Sequence, residues 1–118
     1  MSRFVLSPAA EADLDAIDDA TIARFGLEQA VANRETFHES FRTLAEMPRL
    51  GHTRVDLSPP GRAFLYWTVL GRFIIVYEPV AGGRGGEGGI RVARVLDGAG
   101  NLGAELQLDP GDETEAPE

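Results

Sequence analysis

Cysteine and lysine are both absent from these 118 residues. Without cysteine the chain can form neither a disulfide framework nor a thiolate metal site, and it has no thiol nucleophile. Histidine occurs only at 38 and 52, too few for a histidine-built metal centre, so neither a metal nor another cofactor is expected. No apolar run approaches the roughly 18 residues needed to cross a bilayer. The opening MSRFVLSPAAEADL turns acidic before the apolar core of an export signal could form. The expectation is one cytoplasmic domain, with enough chain to bury roughly two-thirds of its unfolded surface.

Because lysine is missing, all eleven basic residues are arginine, set against nineteen acids for a net charge of −8. They are unevenly placed. Residues 1–48 hold four arginines and nine acids, residues 49–96 hold seven arginines and three acids, and residues 97–118 hold seven acids and no base. The middle of the chain is therefore the basic part of an acidic protein, a balance that suits a phosphate or an acidic partner peptide.

That middle contains the strongest local pattern. In GRAFLYWTVLGRFIIVYEP (61–79), two runs rich in β-branched and aromatic residues, Ala63–Val69 and Phe73–Tyr77, flank Leu70-Gly71-Arg72. Both have strand length, and Gly71 allows a tight reversal, so a β-hairpin is expected. Neither run alternates cleanly, which implies cover on both faces over part of their length. Pro79 should end the second strand. Ile90–Leu96 is a third strand, expected beside Phe73–Tyr77.

Upstream, Arg3–Leu6 reads as a short strand, and Ser7-Pro8 as the cap and first residue of a helix. Ala10, Leu14, Ile17, Thr21 and Phe25 mark that helix's buried face, while Glu11, Asp13, Asp15, Asp18 and Asp19 read as a solvated one. Gly26 ends it in the left-handed region. A second helix, Leu27–Met47, has Ala30, Phe37, Phe41 and Leu44 as its apolar stripe and stops at Pro48. The short link makes the two helices an antiparallel hairpin. His38 reads as structural or solvated, and His52, alone in an irregular 49–60 segment, is a weak catalytic signal.

Residues 81–89 (AGGRGGEGG) lack the Gly-Lys-Ser/Thr ending of a phosphate loop and read as a strand connection. Residues 102–108 read as a short helix or strand, and 109–118 (DPGDETEAPE) as an acidic disordered tail beyond a 1–108 domain. The fold class is α+β, in the order β-α-α-β-β-β. The helical hairpin covers one face of a small, mostly antiparallel sheet, and the other face, carrying the arginines, is expected to lie partly open to a partner.

Several segments together resemble the RelE/ParE toxins of bacterial type II toxin–antitoxin systems, and within them the ParE branch. They are LSPAAEADLDAI (6–17), RFG (24–26), FRTLAEMPRLGH (41–52), FLYWTVLGRFIIVYEP (64–79) and RVLDGAGNL (94–102), covering about residues 3–103. The resemblance implies the RelE-like fold. It also implies a cognate antitoxin whose acidic, amphipathic C-terminal segment neutralises the toxin in a hetero-oligomer. ParE-like members poison DNA gyrase and are not enzymes, whereas RelE-like members are ribosome-dependent mRNA endonucleases.

If this chain were such an endonuclease, Arg62, Arg72 and Tyr77 would supply cations and a phenol. The family segment VLHGARDL here reads VLDGAGNL, with Asp97, Gly100 and Asn101 in place of histidine, arginine and aspartate. That removes an imidazole acid and a phosphate contact, and a pI near 4.7 does not suit entry into a ribosome. The resemblance therefore points to gyrase inhibition, without sequence-specific nucleic-acid binding. The altered 97–101 segment keeps open a weakened toxin that mainly binds its antitoxin. For antitoxin contact, Arg62, Arg72 and Arg94 are the expected charged residues, and Trp67 and Tyr77 the apolar anchors.

Overall fold

The computed structural model describes residues 3–53, 64–80 and 88–98. The elements are β1 (Phe4–Leu6), α1 (Pro8–Phe25), α2 (Leu27–Glu46), a 3-10 turn (Pro48–Leu50), β2 (His52–Thr53), β3 (Leu65–Val69), β4 (Phe73–Pro79) and β5 (Ile90–Asp97). The tail, residues 99–108, the glycine-rich segment up to residue 87 and residues 54–63 lie outside the described residues.

Local chemistry starts and stops the helices as expected. Ser7 Oγ accepts the Ala10 N–H at 3.0 Å, and Pro8 fills the first helical position. The same hydroxyl donates to the Ala93 carbonyl at 2.7 Å, tying the start of α1 to β5. Gly26 has φ 96° and ψ 167°, so its φ is positive but the chain leaves extended and enters α2 at once.

The strands form one sheet in the order β1-β5-β4-β3-β2, with β1 parallel to β5 and all other pairs antiparallel. The β3–β4 hairpin closes through Leu70-Gly71, both at positive φ, with Arg72 N–H donating to the Val69 carbonyl at 3.1 Å. Those dihedrals belong to a two-residue turn whose twist matches the flanking strands. Pro79 is the last residue of β4, opposite Ile90. β2 adds a strand the sequence does not announce: two residues at the free edge of β3, too short to show a period.

The core lies between the helices and the sheet. Leu14, Phe37, Phe41 and Leu44 pack on Val69, Ile75, Tyr77, Val92 and Val95. The opposite face departs from expectation. Phe64, Tyr66, Val76, Ala93 and Leu96 form a second apolar cluster, each at most 5% exposed. A contiguous face of aromatic and aliphatic side chains is costly to leave in water, and here it is buried as fully as the face beneath the helices. It is not an open docking platform.

Candidate protein-binding site

Among the described residues, three arginines of the expected basic sheet surface, Arg72, Arg91 and Arg94, are paired within the chain. Arg72 donates from Nε and Nη2 to the two carboxylate oxygens of Asp97, at 3.0 and 2.6 Å, and its guanidinium carbon lies 5.2 Å from the centre of the Phe73 ring. The hydrogen bond and the charge of Asp97 raise the Arg72 pKa above its ordinary value. Arg91 pairs with Glu78 at 3.3 Å. Arg94 reaches back to α1, where its Nε and Nη2 donate to Asp13 at 2.7 and 3.0 Å.

Asp13 does more than pair. Its Oδ2 also accepts the Val95 N–H at 2.9 Å, on the part of β5 that extends past the three-residue β1. A carboxylate thus takes the place of a missing neighbouring strand. Asp13 therefore leaves the solvated face assigned to it. It follows Ala10 by three positions and precedes Ile17 by four, which places it at the margin of the buried stripe.

Tyr77 is fully buried on the helix side. Its hydroxyl donates to the Pro48 carbonyl at 2.7 Å and accepts the Gly51 N–H at 2.9 Å, clamping the segment after α2. Burial pushes the phenol above its usual pKa, opposed in part by the Gly51 N–H. Trp67 is half-buried and packs against the same core. In this fold Tyr77 is enclosed on the helix side and presents no anchor to a partner, whereas Trp67, on the same face, keeps part of its surface exposed. Arg62 lies outside the described residues.

The endonuclease set does not assemble among the described residues. Arg72 sits at the hairpin turn, paired, while Tyr77 lies about 17 Å along the strand, facing the core. Among the described residues no group of three His, Asp or Glu could hold a metal ion.

Among the described residues, the outer side of the helical hairpin opens to solvent. A recess of about 650 Å³ runs between α1 and α2, with Ile22, Leu27 and Val31 on its apolar strip. These three side chains are 42%, 65% and 52% exposed, too much apolar surface in one place for an ordinary solvated face. Arg34, His38 and Arg42, at four-residue spacing on α2, flank the strip, with Glu35 and Glu39 beside them. Arg34 holds the hairpin together through Asp18 at 2.5 Å and Asp15 at 3.4 Å. The His38 ring packs between Phe4 and Phe41, 5.7 Å from each. Burial first, then Arg34 and Arg42, lower its pKa. The sequence contains the signal for this groove in apolar residues 22, 27 and 31, which fall off the buried stripes.

Residues 4–102 match the model of the family described as ParE toxin of type II toxin-antitoxin system, parDE. The chain belongs to the ParE toxin family. Toxin ParE1 of Mycobacterium tuberculosis is 34% identical over 95 residues, spanning 80% of this chain and 88% of that protein. Toxin ParE3 of Caulobacter vibrioides is 32% identical over 108 residues, spanning 90% and 96%. A solved structure described as the chromosomal ParDE TA system from P. aeruginosa superposes with a TM-score of 0.62 at 26% identity, covering 82% of this chain and 96% of its own. Within this ParE-family chain the match ends at residue 102, so it includes the Arg72–Asp97 pair and the Asp13 bridge.

Proposed function

We propose that this ParE-family toxin acts in the cytoplasm by binding and inhibiting DNA gyrase, with no catalytic step of its own. In this reading a cognate antitoxin neutralises it by laying an amphipathic segment into the groove of the helical hairpin. The observation that carries the antitoxin part is the exposed apolar strip of Ile22, Leu27 and Val31, rimmed by charges of both signs that include Arg42, Glu35 and Glu39. An amphipathic helix fits such a groove, its apolar side chains on the strip and its carboxylates toward Arg42. The P. aeruginosa relative's description as a ParDE system supports a two-component assembly. The gyrase part rests on family membership.

The test is supercoiling by purified gyrase with increasing toxin, alongside expression in cells with and without the antitoxin. Inhibition and growth arrest, both relieved by the antitoxin, are expected. Full supercoiling at saturating toxin would reject the gyrase reading. Harmless expression in cells lacking the antitoxin would instead identify a weakened toxin that mainly sequesters its partner.

A further inference from the structure

A second recess, about 250 Å³, sits where the C-terminal half of α1 meets the β3–β4 turn and the end of β5. It shares no residue with the hairpin groove. The groove uses Asp18 and Ile22 of α1, whereas this recess uses Ile17, Ala20, Arg24 and Phe25, on another face of the same helix.

Three observations single out this corner. Phe25 continues the buried stripe of α1, yet it is 66% exposed where Ala10 and Leu14 are at most 1%. Leu70, at the adjoining hairpin tip, has φ 59° and is 47% exposed. A branched side chain in the left-handed region strains the backbone, and the side chain is only partly buried in return; glycine or asparagine is the ordinary residue there. Rules of local structure broken without a compensating contact are expected at functional positions. The third observation is charge. Among the described residues Arg24 forms no ion pair, while Arg72 is matched by Asp97, so the rim carries one net positive charge. The hairpin groove, by contrast, sets Asp18, Glu35 and Glu39 against Arg34 and Arg42.

We propose that this corner is the surface that engages the target. It receives an acidic segment of the target protein, one apolar side chain seated between Phe25 and Phe73, a carboxylate on Arg24, and Leu70 packed against the segment's flank. This rests on the reading of the chain as a toxin that acts by binding. It adds that the target-facing and antitoxin-facing surfaces are separate.

The experiment uses the full chain carrying Leu70→Gly or Arg24→Glu. Three quantities are compared with the unaltered protein: the toxin concentration that half-inhibits purified gyrase, growth arrest in cells, and co-purification with the cognate antitoxin. Leu70→Gly removes the strain together with the side chain. Its thermal midpoint should rise while its potency against gyrase falls about tenfold, a split that a purely structural role would not produce. Arg24→Glu should lose potency to a similar degree, and both variants should still capture the antitoxin. Unchanged potency in both variants would overturn the proposal. So would a parallel loss of antitoxin capture, which would give the corner to the antitoxin. If the unaltered protein arrests growth without touching gyrase, only the gyrase reading fails, and growth arrest by the two variants still decides the corner.

Discussion

Tyr77 shows how a side chain can carry more structural consequence than its position on a strand announces. Its hydroxyl satisfies both Pro48 and Gly51, so Tyr77→Phe leaves a part-buried carbonyl and an N–H without that partner. The expected cost is roughly 1–3 kcal/mol, read by urea unfolding. The phenol pKa is raised in the folded state, so its contribution is complete below the unfolded value of about 10 and is lost as pH rises past it. His38 behaves oppositely with acid. Its folded pKa is lowered, so the unfolded chain takes up the proton first as pH falls below about 6.5. The charged groups that line the recess with His38 are Arg34, Arg42, Glu35 and Glu39 of α2 and Asp18 of α1, while β1 contributes the Phe4 ring against it. Unfolding followed between pH 7 and 5.5 should show stability falling, with a shallower fall in His38→Gln. Residue-level roles were the least legible part of the sequence. Tyr77 reads as a solvent-facing phenol only if the hairpin's two faces are exchanged, and no period distinguishes them when both are apolar.

At the scale of elements, two ion pairs of similar geometry should differ sharply in worth. Arg94 and Asp13 have side chains 13% and 16% exposed, and they close the open stretch of β5. Arg72 and Asp97 are 50% and 36% exposed at the hairpin end. Asp13→Ala leaves a shielded guanidinium and the Val95 N–H without their carboxylate, and should cost about 3 kcal/mol. Asp97→Ala should cost clearly less, because solvent screens its pair with Arg72. Equal losses in denaturant unfolding would contradict this ranking. The elements themselves were largely legible. Ser7-Pro8, Gly26 and Pro48 bracket the helices, and β-branched runs mark β3, β4 and β5. β2 was not, since two residues carry no pattern. Nor was the role of Asp13, which in the chain looks like its neighbours Asp15 and Asp18 until β5 is placed beside α1.

For the whole molecule, folding offsets part of the charge asymmetry of the sequence by pairing described arginines within the chain. Helix and strand carboxylates reach Arg72, Arg91 and Arg94, and the face opposite the helices is apolar and buried. Long-range pairing of that kind is invisible to a count along the chain, because Asp13 and Arg94 are 81 positions apart. The hairpin groove exposes the apolar strip of Ile22, Leu27 and Val31, so antitoxin affinity should come mainly from burial there. Exposed charge pairs add about 0.2–1 kcal/mol each. Raising salt should therefore slow association more than it weakens the complex, as stopped-flow binding and equilibrium titration would show. The most direct test of this account is the affinity of the purified cognate antitoxin for the full-length toxin carrying Val31→Asp, with circular dichroism confirming the fold. A carboxylate in the centre of the groove should weaken binding at least about tenfold. Binding as tight as that of the unaltered protein would show that the antitoxin lies elsewhere.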